Sequence, residues 1–158
     1  MSDLRDLYQE VILDHNRKPR NFRRLEAPTC SLDGHNPLCG DRISLDVTLE
    51  DGVIKDIGFA GSGCAISKAS ASLMTESVKG KRTAEAEALF AAVHQMLLRG
   101  PGGEFDPDEV GDLEVLAGVA EYPTRIKCAM LSWHTLNGAL HGARDPVSTE
   151  TGDESGGS

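Results

Sequence analysis

The sequence predicts an α+β fold, a small antiparallel sheet of about three strands packed against helices, and three observations carry that expectation. From Arg42 to Glu50 the alternation is strict, with Ile43, Leu45, Val47 and Leu49 on one face as a half-buried strand requires. Asp51-Gly52 follows, the dipeptide suited to a tight hairpin whose two central residues need positive φ, so Val53 to Phe59 reads as the returning strand. On both sides of this hairpin the apolar residues recur at helical spacing instead.

Leu4, Leu7, Tyr8, Val11 and Ile12 form one apolar stripe and predict an amphipathic helix over residues 3 to 15. Residues 16 to 41 carry Pro19, Pro28 and Pro37 among Gly and Asn, and read as loop with a short strand near Thr29 to Leu32. After the Gly61-Ser62-Gly63 turn, Ile66, Ala69 and Leu73 mark a helix from Cys64 to Val78, and a second runs from Thr83 to Arg99. Gly100-Pro101-Gly102-Gly103 breaks that helix; an exposed acidic loop continues to Gly111 before a short helix around Leu113 to Val119 that Tyr122-Pro123 ends. Ile126, Met130, Trp133, Leu136 and Leu140 mark a last amphipathic helix. Residues 1–144 thus read as a single domain. The remainder, 145–158, holds Asp145, Glu150, Asp153 and Glu154, has no basic residue and almost nothing to bury, and reads as a disordered acidic tail.

The chain has 158 residues, 4% of them aromatic, and a formal net charge of -9. That balance argues against nucleic acid, which is bound through clustered Lys and Arg and through stacking aromatic rings, and suits a basic protein partner better. The N-terminus lacks the uninterrupted apolar run of a signal peptide, and no segment is long enough to span a bilayer, so the expected compartment is the reducing cytoplasm. Four cysteines there are metal ligands, reactive thiols or core residues before they are disulfides.

Cys39-Gly40-Asp41 lies between a Pro-rich loop and a strand, where a turn can aim a thiolate and a carboxylate at one point. Cys64 opens a helix after a Gly-Ser-Gly turn, where free backbone N–H groups and the helix dipole favour a thiolate, and Cys128 lies near the start of the last helix. Pattern alone leaves open whether these thiols bind a metal or pack as core, since there is no CxxC pair and free cysteines are among the most buried residue types. If they bind one, three soft thiolates and one carboxylate most naturally make a tetrahedral zinc site.

The stretches NPLCGD at 36 to 41, GSGCAIS at 61 to 67 and RIKCAML at 125 to 131, with the opening LYQEVILDHNRKPRNF, resemble the IscU/SufU iron–sulfur cluster assembly family, related to the N-terminal part of NifU, over nearly all of residues 4 to 144. Lys127, where the scaffold type usually carries a histidine before the third cysteine, and an added segment of roughly His94 to Gly111 favour its SufU branch. The resemblance implies an IscU/SufU-like fold. It also implies a zinc site from Cys39, Asp41, Cys64 and Cys128, and a SufS-type, PLP-dependent cysteine desulfurase as partner, with a cluster assembly complex downstream. Cys39 would accept persulfide sulfur as a sulfurtransferase-like carrier, and Arg125 would pair with Asp41 when that carboxylate leaves the metal. Two rival readings stay open: a scaffold on which a [2Fe–2S] cluster or iron is held by the same residues, and a structural zinc module that activates the desulfurase by docking alone.

Other candidates read more plainly. Cys30 falls outside the three motifs and reads as a structural thiol. The five histidines are scattered; His134, on the helix of Cys128, reads as packing or as a hydrogen-bonding neighbour of the site. Lys68 and Lys127 read as solvated helix residues that add positive potential near the thiolates.

Overall fold

A computed structural model of the protein describes residues 2–37, 40–99, 110–121, 123–142 and 147–148. The predicted hairpin is its centre. Strand β2, Asp41–Glu50, pairs antiparallel with β3, Val53–Ser62, through Asp51 and Gly52 at φ 54° and 76°, both left-handed as a type I′ turn demands. Ile43, Leu45, Val47, Ile57 and Phe59 are buried on these strands, which places one face of the sheet against the helices.

Strand β1, Cys30–Asn36, pairs antiparallel with β2 from Cys30↔Val47 to Asn36↔Asp41. It is longer than the short strand expected near Thr29 to Leu32. The polar run Asp33-Gly34-His35-Asn36 carries no apolar alternation, yet its backbone is held by the full ladder to β2. A fourth strand, β4, Val147–Ser148, adds parallel to β1 at Gly34 and His35, so the sheet has the order β3-β2-β1-β4 and is mixed rather than wholly antiparallel. These two residues lie in the stretch whose composition suggested a disordered tail. A two-residue edge strand is held by main-chain bonds to β1, and composition carries no signal for it.

Helix α1, Ser2–Arg17, helix α2, Ala65–Val78, helix α3, Thr83–Leu98, a 3₁₀ helix over Gly111–Glu121 and helix α4, Pro123–Leu140, complete the fold. The stretch expected to be a short helix near Leu113 is the 3₁₀ helix, and Pro123 takes the first position of α4, where its missing N–H costs nothing. Most of the acidic loop before Gly111 lies outside the described residues. Leu73, Met74, Leu131, Trp133 and Leu136 fill the core between α2, α4 and the sheet, each at most 2% exposed. Two features hold α4 close to its neighbours. A Cβ at Gly34 would overlap the Thr135 hydroxyl and lie 3.2 Å from Leu131, so only glycine lets α4 rest on β1. The Ser70 hydroxyl donates to the carbonyl of Ala129 at 2.5 Å, tying α2 to α4 one residue after Cys128. Among the described residues no helix is long and apolar enough to cross a membrane.

Candidate metal centre

Three elements end at one place. Asp41 opens β2 with its side chain fully buried, Cys64 caps α2, and Cys128 lies wholly buried on α4. A carboxylate oxygen of Asp41, Cys64 Sγ and Cys128 Sγ all lie within 4.8 Å of one another. Two thiolates and a carboxylate sharing one tetrahedral zinc would stand about 3.5–3.8 Å apart, from bonds of roughly 2.3 Å to sulfur and 2.0 Å to oxygen. The donor set therefore fits a metal ion of this kind with small adjustment.

The local sequence builds the approach. Asp41 Oδ1 accepts the backbone N–H of Cys64 at 2.8 Å, and Oδ2 lies 3.7 Å from the Cys64 thiol. A Cβ at Gly63 would stand 2.5 Å from Asp41 Oδ1 and 3.0 Å from its Cβ and Cγ, so a side chain there would push the carboxylate out of the cluster. Cys64 has the extended backbone of an N-cap residue, φ -74° and ψ 168°, and its Sγ accepts the N–H of Ser67 at 3.5 Å. The thiol does for α2 what a serine would do, which fixes its direction.

Asn36 is a site residue that the sequence did not single out. Its side chain is fully buried and Nδ2 lies 3.6 Å from Cys128 Sγ, while its carbonyl accepts the N–H of Gly40 at 2.8 Å and so shapes the β1–β2 turn. Its place in NPLCGD was the available signal. Cys39, two residues before Asp41 in the sequence, lies outside the described residues. Arg125 is exposed on the first turn of α4, one turn before Cys128, and among the described residues it makes no ion pair with Asp41.

The remaining candidates sit elsewhere. Cys30 begins β1 opposite Val47 and is not one of the clustered ligand residues; burial pushes its thiol pKa up. His134 packs its ring on Phe90 and on His94, with centroids 5.5 and 5.7 Å away, in an aromatic cluster between α3 and α4 that the scattered histidines did not announce. Burial lowers the pKa of His94 there. Lys68 places Nζ 4.8 Å from the ring centroid of Phe22.

Residues 7–129 match the profile of the NifU-like N terminal domain family. The chain is 43% identical over 136 residues to the zinc-dependent sulfurtransferase SufU of Bacillus subtilis (strain 168), an alignment spanning 85% of this chain and 90% of that protein. It is 42% identical over 142 residues to the iron–sulfur cluster assembly scaffold protein IscU of Streptococcus pyogenes serotype M1, spanning 89% and 86%. A crystal structure from Fervidobacterium islandicum AW-1, described as an assembly scaffold protein for the SUF system, superposes with a TM-score of 0.78 at 35% identity, over 83% of this chain and 94% of that one.

Proposed function

Because this chain belongs to the NifU-like N-terminal domain family, with SufU and IscU proteins of iron–sulfur cluster assembly as its relatives, we propose that it is a zinc-dependent cytoplasmic sulfur acceptor. It takes persulfide sulfur from a PLP-dependent cysteine desulfurase and passes it on to cluster assembly. The observation that carries this reading is the convergence of Asp41, Cys64 and Cys128 within 4.8 Å at the sheet end from which the Cys39 loop departs.

Cys39, Asp41, Cys64 and Cys128 would hold the ion. Zinc would supply a redox-inert positive charge that keeps sulfur ligands deprotonated. Cys64, fixed by the α2 cap, and Cys128, fixed in the core beside Asn36, are anchors. Asp41 is the harder, weaker donor, already held by the Cys64 N–H. In the transfer, the Cys39 thiolate attacks the outer sulfur of the desulfurase persulfide. A new S–S bond forms, the old one breaks, and its electron pair leaves with the desulfurase cysteine as a thiolate. Arg125 pairs with the Asp41 carboxylate once that group is freed, so Arg125→Ala leaves metal bound and slows sulfur acceptance.

The relative named as a scaffold, at 42% identity, favours a second reading in which the same residues hold a [2Fe–2S] cluster. Metal analysis with visible absorbance separates the two. The carrier binds one tight zinc per chain and shows no cluster absorbance after anaerobic reconstitution with equimolar metal. Stable cluster absorbance on the wild-type protein makes it a scaffold.

A further inference from the structure

Strand β3 is an outer strand of the sheet, and its outward edge is occupied along most of its length. In an antiparallel ladder alternate residues turn their N–H and C=O outward. At Ile57 the outward N–H goes to the Asp56 carboxylate at 2.9 Å; at Phe59 it goes to the carbonyl of Asn21 at 3.0 Å, where Phe22 and Phe59 form a parallel bridge. The next outward position is Gly61. Among the described residues nothing outside the sheet bonds it, and Gly61, Ser62 and Gly63 are all exposed. Three residues further on stands Cys64.

This open edge forms one wall of a shallow surface cleft whose lining includes Phe59, Gly61, Gly63, Ser67, Lys68 and Arg42. Arg42 and Lys68 give it a positive lip in a chain whose net charge is -9, and among the described residues neither is salt-bridged to an acid. Lys68 lies instead over Phe22, which keeps 42% of its surface exposed beside the same edge.

Resting on the sulfur-acceptor reading, we propose that an extended segment of the sulfur-donating protein, carrying at least one acidic residue, adds to the β3 edge at Gly61 and places its carboxylate between Arg42 and Lys68. Main-chain bonds at Gly61 set the register, the two cations read the acid, and the segment runs directly to Cys64 and Asp41. The short edge left open by the Asn21–Phe22 segment suits a segment of a few residues rather than a sheet from a second copy. Charge also decides the partner: the body of the donor faces an acidic surface, while the segment that enters the cleft faces a basic one.

The test uses the full chain and the PLP-dependent cysteine desulfurase of the same organism. Amide hydrogen exchange should show Gly61 fast in the free protein and protected in the complex. The double variant Arg42→Glu, Lys68→Glu should bind the desulfurase at least about tenfold more weakly, with metal content and thermal unfolding as in wild type. Unchanged affinity of that variant, or an unprotected Gly61 in a complex that does transfer sulfur, overturns the docking proposal and leaves the sulfur-acceptor reading standing. Gly61 already protected in the free chain, and released by removing residues 145–158, makes the acidic tail the occupant and overturns it equally. A wild-type protein that neither binds the desulfurase nor accepts sulfur overturns both.

Discussion

Two buried aspartates on β2 have opposite surroundings. Asp41 and Asp46 are 0% and 1% exposed, and the alternation of the strand puts them on opposite faces. Asp46 accepts from Arg24 Nε at 2.8 Å, Arg24 Nη2 at 2.9 Å, the N–H of Leu25 at 2.9 Å and the Ser31 hydroxyl at 2.7 Å. Burial alone would raise its carboxyl pKa, but the bonds from Arg24, Ser31 and Leu25 outweigh it and bring it down to about 2. Asp41 instead accepts one backbone N–H and faces two thiols. One carboxylate is surrounded by donors and locks the 21–31 segment to the sheet; the other has sulfur around it, which is how a ligand for a metal differs from a structural anion.

The comparison breaks most sharply under the same substitution at both positions. Asp41→Asn keeps an acceptor for the Cys64 N–H but removes the anionic oxygen. Zinc affinity, read by competition with a chelating dye, should fall by more than about a hundredfold, with little change in the stability of the metal-free protein. Asp46→Asn should leave zinc affinity unchanged and cost about 2 kcal/mol of folding stability in urea, since an amide cannot take four donors and turns its own N–H groups toward the guanidinium. Equal effects of the two substitutions on metal affinity would erase the distinction.

Acid sharpens the same contrast. Because the Asp46 carboxyl titrates lower when folded than when unfolded, its contribution is fully present above about pH 4 and is lost as pH falls through about 2. The loss amounts to roughly 2 kcal/mol, and the Asp46→Asn protein should lack that part of the slope in denaturation measured between pH 5 and 2. The smallest effect belongs to Tyr8, whose hydroxyl donates to Glu114 at 2.6 Å and joins α1 to the 3₁₀ helix. Tyr8→Phe should cost about 1 kcal/mol. Burial and the neighbouring Glu114 push the Tyr8 pKa up to about 12, so this contribution is whole below about pH 10 and fades above it.

These same residues show what the sequence could carry. The β2–β3 hairpin was legible because strict alternation and Asp51-Gly52 are local signals, and the ordered motifs single out Cys39, Asp41, Cys64 and Cys128, of which the last three are described and lie together. The same alternation puts Asp46 on the polar side of a half-buried strand, where solvent exposure is the expectation. Its burial comes from the non-repetitive 21–29 segment folding over that face, and no local pattern in β2 reports it. Residues 33–36 were read as loop because their side chains are polar, although the backbone ladder to β2 and the close approach of Thr135 to Gly34 define the strand. Asn36 becomes a neighbour of Cys128 only when α4 packs on β1, a contact between residues 92 apart in sequence. The His94–His134 pair is likewise a product of helix packing.

The most direct test of the account is to mix the protein with its desulfurase and cysteine and locate the added sulfur by intact-mass and peptide spectrometry. The account predicts a persulfide on Cys39, with Cys64 and Cys128 unmodified, and no acceleration of the desulfurase by Cys39→Ser. Sulfur found only on another cysteine, or full acceleration by that variant, would contradict it.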